Sequence, residues 1–354
     1  MGRDARQVYD APMHPTDTDL AAAAEPPYAQ LAPEVVLDAV DACGFASSGT
    51  LLALNSYENR VFQIGVDGPE RFVVGKFYRP GRWSAAQILE EHAFVRELAD
   101  AEIPVVAPLV IEGRSLHAHG GYRFALYPRR GGRAPNLDDA ATLAWIGRFL
   151  GRIHALGAQR AFALRPALDV ASFGVEPRAY LLAHDWLPPE LRTVYAGVAQ
   201  QAIDEIERCQ ARAGTVRVLR LHGDTHEGNI LWTEGDIGAG RPGGPHFVDF
   251  DDARMGPAVQ DLWMLFGDRE QRPARLAALL EGYEDFAAFD ARELHLVEAL
   301  RTLRLLHYSA WIARRWSDPA FPAAFPWFDT QRYWEERILE LREQIAAMTE
   351  APSA

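Results

Sequence analysis

One short stretch of the sequence, residues 221–231, reads LHGDTHEGNIL and places Asp224 five positions before Asn229. Apolar residues flank this pair on both sides, a pattern that predicts a loop between two strands. Phosphoryl transfer uses a carboxylate that orients the attacking hydroxyl and accepts its proton, and a nearby amide oxygen that binds the magnesium ion bridging the phosphates. Asp224 is therefore predicted to be a catalytic base, and Asn229 a magnesium ligand.

A second stretch, residues 247–250, reads FVDF and supplies another carboxylate, Asp249, at the end of an apolar run. Carboxylate oxygens are hard ligands of the kind that magnesium prefers, so Asp249 is predicted to be a catalytic metal ligand. Asp251 and Asp252 are nearby alternatives, but Asp249 directly follows the apolar pair that fixes its backbone. Asp261 is expected to accept hydrogen bonds from backbone N–H groups of the catalytic loop.

Two other interpretations of these residues stay open at this point. An isolated Asp or Asn in a loop more often caps local backbone than carries chemistry. His222, Asp224 and His226 alternate along an extended segment, which is also compatible with a zinc site. Zinc would explain neither Asn229 nor the lysine and glutamate found upstream, so the magnesium interpretation is favoured.

Upstream, residues 51–78 have the alternating pattern of strands, with a turn at residues 67–68 that predicts a hairpin. Lys76 lies among apolar strand residues, and its ammonium group is predicted to contact the α- and β-phosphates of ATP. Ser84 is expected to cap the next helix, on which Glu91 shares the inward stripe and is predicted to pair with Lys76. Taken alone, this pair also fits two solvated surface charges.

The loop at residues 55–60 contains no glycine, so it is not a Gly-x-Gly-x-x-Gly phosphate cradle. Ser56 and the loop amides are the candidate donors to an ATP phosphate, with a plain hairpin turn as the alternative. Residues 105–111 and 122–127 are predicted to be two further extended segments. Residues 125–128 fall at the predicted junction of two lobes, where their backbone is a candidate adenine site.

Beyond residue 136 the apolar positions follow helical spacing, notably at residues 143–153, 303–316 and 334–345. The predicted fold class is α+β with two lobes: a small N-terminal lobe with an antiparallel sheet and one helix, and a larger, mainly helical C-terminal lobe. The predicted boundaries are a flexible leader at 1–27, an ATP-binding lobe at 28–127, a catalytic lobe at 128–348 and a tail at 349–354.

Composition limits the possible partners. The chain has 354 residues, of which 48% are hydrophobic, enough to bury a full core, and its net charge of −13 disfavours nucleic acid. Two cysteines are too few for a disulfide framework or a thiolate metal site, which fits a reducing, cytoplasmic compartment. No apolar run approaches the roughly 20 residues that span a bilayer, so no membrane role is expected. A monomer is expected.

The quoted motifs resemble those of the aminoglycoside/choline kinase-like superfamily and, more closely, the YihE/RdoA family of bacterial stress-response protein kinases. The resemblance covers nearly everything after residue 30. It implies a two-lobed, protein-kinase-like fold, serine/threonine phosphorylation of proteins with ATP and Mg²⁺, a cytoplasmic location and a role in stress survival. The matching segments are residues 55–60, 76–80, 88–92, 222–229, 247–253, 256–265 and 316–322.

The resemblance implies that Asp224 is the proton acceptor, that Asn229 and Asp249 bind magnesium, and that Ser56 lies at the ATP site. Two departures stand out. Gly75 precedes Lys76 as an apparent extra residue, which would move the lysine to the other face of a pleated strand. The loop at 233–246 is long and rich in glycine. Because the same catalytic parts serve other substrates, the alternative is a small-molecule kinase acting on an aminoglycoside-, choline- or homoserine-like hydroxyl.

Overall fold

The computed structural model describes residues 25–235 and 243–350 of the chain. Its small lobe contains a five-stranded antiparallel sheet with the strand order β1-β2-β3-β5-β4. One helix precedes the sheet and a second lies between β3 and β4. The elements are α1 (Pro33–Asp41), β1 (Ser47–Ala53), β2 (Arg60–Val66), β3 (Phe72–Phe77), α2 (Ala85–Asp100), β4 (His117–His119) and β5 (Tyr122–Pro128).

The predicted hairpin and the predicted cap are both confirmed. Strands β2 and β3 pair in antiparallel register, and Ser84 caps α2 through a reciprocal capping box with Gln87. Two details differ from the prediction. The small lobe has two helices rather than one, because the short α1 gains its stability from packing Val36 and Val40 into the sheet core rather than from a long periodic pattern.

The segment at 105–111, predicted to be a strand, lies outside the small-lobe sheet. Its backbone is extended but its hydrogen bonds go to both lobes: the Val106 N–H donates to Phe247 O, and the Leu109 N–H donates to Leu126 O. This segment therefore connects the two lobes instead of adding a strand, and β4 at the sheet edge comes from the residues that follow it.

The large lobe is mainly helical, and the helices predicted from residues 143–153, 303–316 and 334–345 are confirmed as α3, α7 and α9, although α7 ends at Arg314. Two small antiparallel ribbons, β6 with β9 and β7 with β8, carry the central motifs. The elements are α3 (Ala140–Gly157), α4 (Glu176–Ala183), α5 (Pro189–Ala213), β6 (Leu219–Leu221), β7 (Ile230–Thr233), β8 (Gly244–Phe247), β9 (Arg254–Gly256), α6 (Arg272–Tyr283), α7 (Val297–Arg314), α8 (Ala320–Ala324) and α9 (Gln331–Thr349).

Helix α2 is built mainly into the large lobe, although it follows a strand of the small lobe. Its side chains Phe94, Val95 and Leu98 are buried in the large-lobe core. Glu90, on the same helix, accepts hydrogen bonds from three successive backbone N–H groups at residues 163–165, at 2.6, 2.9 and 2.7 Å. The helix is thus fixed to the large lobe by both apolar and polar contacts.

Within the described ranges, no helix is long and apolar enough to cross a bilayer. Residues 1–24 of the predicted leader, 351–354 of the predicted tail and 236–242 of the glycine-rich loop lie outside the described residues. The predicted domain boundaries stay predictions.

Candidate active site

A cavity of about 330 Å³ lies between the two lobes. Five side chains singled out in the sequence line it: Ser56, Lys76 and Glu91 from the small lobe and α2, and Asn229 and Asp249 from the large lobe. Most of the remaining wall is apolar and suits a flat aromatic ring. That wall contains Leu54, Val61, Val74, Val106, Tyr127, Pro128, Leu231, Val248 and Phe250.

Lys76 lies on the cleft face of β3. A Cβ placed on Gly75 would lie 2.9 Å from Ile64 Cδ1, so Gly75 faces the apolar core and its neighbour Lys76 faces the opposite side of the sheet. The Lys76 Nζ contacts Asp249 Oδ1 at 2.6 Å and Asp251 Oδ1 at 3.3 Å. Burial alone would lower the pKa of Lys76, but these two carboxylates outweigh it and hold the pKa well above its usual value.

Glu91 lies on the inward face of α2, as predicted, and its side chain is buried. The predicted ion pair with Lys76 is absent: in the part of the chain that the structure describes, the carboxylates within 4.0 Å of the lysine Nζ belong to Asp249 and Asp251. The pairing prediction was wrong because the sequence does not show two large-lobe carboxylates approaching the lysine more closely. Burial raises the pKa of Glu91 to about 7, although Lys76 and Arg165 oppose this.

Asp249 lies two residues after the end of β8, and its backbone is left-handed, with φ 61° and ψ 64°. This conformation costs a non-glycine residue about 1 to 3 kcal/mol, and such strain is concentrated at functional sites. Its side chain is 47% exposed and points into the cleft, where it meets Lys76. The backbone geometry thus presents the carboxylate to a ligand rather than to the core.

The two alternatives to Asp249 are buried among arginines. Asp251 accepts a hydrogen bond from Asn59 Nδ2 at 2.9 Å and pairs with Arg82. Asp252 pairs with Arg82 at 3.2 Å and with Arg254 at 2.9 Å. Their side chains are only 4% and 2% exposed, so Asp249 is the carboxylate of this trio that the cleft exposes.

Asp224 is not a cleft-lining side chain, and its carboxylate is buried beside the cleft wall. Its Oδ1 lies 2.6 Å from Arg304 Nη1, and its Oδ2 lies 3.5 Å from His226 Nε2. Burial would raise the pKa of Asp224, but Arg304 and then His226 outweigh that effect and hold the pKa well below its usual range. The carboxylate is therefore ionised at neutral pH.

Asn229 connects Asp224 to the cleft. Its Nδ2 donates to the backbone oxygen of Asp224 at 2.9 Å. This bond fixes the orientation of the amide and leaves Oδ1 as the atom that faces a ligand. Among the described residues no hydrogen bond to Asn229 Oδ1 is formed, and Asn229 lines the same cavity as Asp249. An amide oxygen and a carboxylate are hard ligands of the kind that suit Mg²⁺.

Asp261 has the structural role that the sequence predicts. It is fully buried and accepts hydrogen bonds from the backbone N–H groups of His222 and Gly223, both at 2.8 Å. His154 Nε2 lies 3.1 Å from the same carboxylate. Gly223 has φ +90°, and a Cβ there would overlap the backbone oxygen of Asp252, so only glycine fits this turn.

The histidines of the loop bind backbone groups instead of forming a zinc site. His222 Nε2 lies 2.9 Å from Val248 O, and His226 Nδ1 accepts the Gly228 N–H at 3.0 Å. Over residues 25–235 and 243–350, no group of three or more potential metal-ligating side chains is found. The observed contacts favour orienting roles for both rings.

Ser56 lines the cleft, and its Oγ donates to Asn59 O at 3.0 Å. The adjacent Glu58, which the sequence analysis did not single out, holds this loop against the large lobe. Glu58 accepts the Trp311 Nε1–H at 2.7 Å and pairs with Arg315 at 2.6 Å and Arg79 at 3.0 Å. These contacts attach the loop to α7 and to Arg79.

Sequence reasoning also missed the arginines that balance the buried carboxylates. Arg82, Arg165, Arg254 and Arg304 are all buried. One signal was arginine at a position that helical spacing assigns to an apolar face, as at Arg304, which lies four positions after Leu300 and four before Tyr308. That pattern indicates a buried ion pair, but it does not identify the partner.

Comparison with known proteins agrees with this geometry. Residues 50–297 match the model of the phosphotransferase enzyme family. Stress response kinase A of Salmonella choleraesuis (strain SC-B67) is 42% identical over 323 residues, which is 91% of this chain and 95% of that protein. The same values hold for serine/threonine protein kinase RdoA of Salmonella typhimurium and for stress response kinase A of Escherichia coli K12.

Solved structures of similar fold are also kinases. Amicoumacin kinase hAmiN, solved with AMP-PNP, Ca²⁺ and amicoumacin, has a TM-score of 0.67 at 18% identity, covering 89% of this chain and 93% of its own. A microcompartment-associated aminopropanol kinase has a TM-score of 0.65 at 17% identity, covering 89% and 96%. These likenesses confirm the predicted α+β, two-lobed kinase-like fold. Together with the family match and the close relatives, they lead to one conclusion: the chain belongs to the phosphotransferase enzyme family, among the relatives of stress response kinase A.

Proposed function

We propose that this phosphotransferase is a serine/threonine protein kinase that transfers the γ-phosphoryl group of ATP, with Mg²⁺, to a protein hydroxyl. The observation that carries the proposal is its 42% identity over 91% of the chain to a protein named as a serine/threonine protein kinase, RdoA. A cytoplasmic location, a monomeric state and a role in stress survival belong to the same proposal. These parts of the proposal are drawn from the names of the relatives and from the composition of the chain.

In this proposal the apolar part of the cleft holds adenine, and Lys76 and Ser56 contact the phosphates. Asn229 Oδ1 and the Asp249 carboxylate hold the magnesium ion, which when bound neutralises charge on the β- and γ-phosphates. The support is the convergence of a fixed amide oxygen, an exposed carboxylate and a buried ammonium group on one cleft. Glu91 contributes to the same wall as a buried carboxyl group with a raised pKa.

Asp224 serves as the base in this proposal. Its low pKa makes it a weak base, which suits a reaction in which the attacking hydroxyl needs orientation more than early deprotonation. Of its two oxygens, Oδ1 is bound by Arg304, so Oδ2 is the one that receives the acceptor hydroxyl.

The charge around Asp224 does not decide between the two acceptor classes, because the same catalytic parts serve proteins and small molecules, so the choice of a protein acceptor rests on the identity to RdoA. The negative charge of Asp224 is already balanced by Arg304 and lies next to His226. The small-molecule kinase remains the alternative outcome of the test.

The test is transfer of label from γ-labelled ATP with Mg²⁺, using the full chain and the Asp224→Asn variant. The acceptors are generic proteins, choline, homoserine and a panel of aminoglycosides. The proposal is supported if the wild-type chain labels serine or threonine of a protein and the variant does not. Label confined to a small molecule replaces it with the alternative, and no transfer despite binding of AMP-PNP contradicts both.

A further inference from the structure

The strongest unassigned feature near the site is the buried ion pair between Arg304 and Asp224. Arg304 comes from α7, 80 residues after Asp224, and each residue is only 2% exposed. The bond from Arg304 Nη1 to Asp224 Oδ1 is 2.6 Å long, which is short for a charge-assisted hydrogen bond. Arg304 is not among the residues that line the interlobe cavity, so it has no part in the nucleotide site described above.

The two oxygens of the Asp224 carboxylate have different environments. Oδ1 is held by the guanidinium group, whereas Oδ2 lies 3.5 Å from His226 Nε2, beyond a strong hydrogen bond. The terminal torsion of an aspartate is broad, so an unheld carboxylate would sample many orientations. A planar guanidinium fork restricts that rotation more than a single ammonium group does.

His226 itself is held in place, which sharpens the difference between the two oxygens. Its Nδ1 accepts the Gly228 N–H, so in the neutral ring the proton lies on Nε2, the nitrogen that faces Oδ2. The contact of Oδ2 with His226 is long, so this oxygen keeps acceptor capacity for a further donor although the carboxylate is buried. A substrate hydroxyl that donates to Oδ2 completes its hydrogen bonding without displacing Arg304.

We propose that Arg304 is a positioning residue: it fixes Oδ1 of Asp224 so that Oδ2 is presented to the acceptor hydroxyl. This rests on the proposed function, in which Asp224 is the base. Stability alone gives a poor account of the pair, because buried ion pairs are often replaceable by apolar residues without loss of stability. The pair is located where the orientation of one carboxylate matters to the reaction.

The test compares Arg304→Met, Arg304→Lys and a matched control, Arg301→Met, in the full chain. Arg301 lies one turn earlier on α7 and contacts Trp263 and Glu298 instead of Asp224. Misplacement of a catalytic group by about 1 Å costs about 100-fold in rate, so Arg304→Met is expected to lower kcat about 100-fold. Arg304→Lys is expected to recover part of that loss, with the KM for ATP and the affinity for AMP-PNP unchanged in both variants.

Each outcome bears on one claim. Wild-type kcat in Arg304→Met, or an equal kcat loss in Arg301→Met, overturns the positioning role. A parallel loss of AMP-PNP affinity in Arg304→Lys also overturns it, because the arginine would then support the fold of the cleft generally. Full activity of the Asp224→Asn variant would instead contradict the proposed function, since Asp224 would then not be the base.

Discussion

Replacing Asp261 by asparagine tests whether a single buried carboxylate holds the catalytic loop in shape. Asp261 accepts two backbone N–H groups, from His222 and Gly223, both at 2.8 Å, and lies 3.1 Å from His154. An asparagine side chain keeps one acceptor oxygen but turns an NH₂ group towards one of these donors. That backbone N–H is then buried without an acceptor.

The expected magnitude follows from these contacts. An unsatisfied buried donor costs about 1 to 3 kcal/mol, and the remaining bond loses its charge assistance, so the free energy of unfolding should fall by about 3 kcal/mol. The loop that carries Asp224 should also lose its fixed geometry. We therefore expect kcat to fall more than about tenfold, with little change in the affinity for AMP-PNP.

The assay is urea denaturation at pH 7 together with steady-state kinetics, with Asp169→Asn as the matched control. Asp169 is exposed and accepts the Ser172 N–H at 2.7 Å, a local turn that asparagine supports equally well. The control should change stability by less than about 0.5 kcal/mol. The reasoning would be refuted if Asp261→Asn kept a free energy of unfolding within about 1 kcal/mol of wild type and an unchanged kcat, since the carboxylate would then not hold the loop.

Three further predictions concern stability, pH and nucleotide binding. Burial raises the pKa of Glu293 to about 7, so the free energy of unfolding should fall as pH rises from 5 to 8. In Glu293→Gln this fall should be smaller by up to about 3 kcal/mol, as measured by urea denaturation. An equal pH dependence in the two proteins would contradict this. Ser84→Ala removes the capping box of α2 and should cost about 1 kcal/mol, whereas Ser84→Asp should retain most of it. Lys76→Met should weaken AMP-PNP binding by at least about tenfold by calorimetry, and unchanged affinity would remove Lys76 from the phosphate site.

The sign for Glu293 follows from its environment. Its carboxyl group is buried and accepts the Val259 N–H, and burial disfavours the charged form in the folded state. The folded-state pKa is therefore above the unfolded value, and the stability present below the unfolded pKa is lost as pH rises through the folded pKa. Glutamine keeps the acceptor oxygen without the charge.

Local patterns in the sequence were enough to predict much of the fold and the cleft. Lys76 lies in β3, where strand alternation determines which way its side chain points, and Asp249 follows the apolar end of β8. Asp261 was predicted correctly as a loop-holding carboxylate because a buried backbone N–H needs an acceptor. Short-range chemistry explains each of these successes.

The failures involve partners that are distant in the chain. The ion pair of Asp224 with Arg304 spans 80 positions, and that of Lys76 with Asp249 spans 173. No periodicity in the sequence relates residues so far apart. Lys76 was therefore expected to pair with Glu91, a nearby acid on the inward face of the following helix. Helix α1 was missed for a related reason, since it is stabilised by the sheet it packs on rather than by its own sequence.

The attachment of α2 determines which parts of the molecule can move relative to one another. Phe94, Val95 and Leu98 attach this helix to the large-lobe core, and Glu90 binds the backbone at 163–165. The same helix is attached to the small lobe, because Ile88 packs with Tyr78 and His92 Nε2 lies 2.7 Å from the Tyr78 hydroxyl. The small lobe is itself tied to the large lobe by the ion pairs Glu58–Arg315, Arg79–Asp318 and Lys76–Asp249. An opening of the cleft or an outward swing of α2 therefore requires several of these contacts to break together.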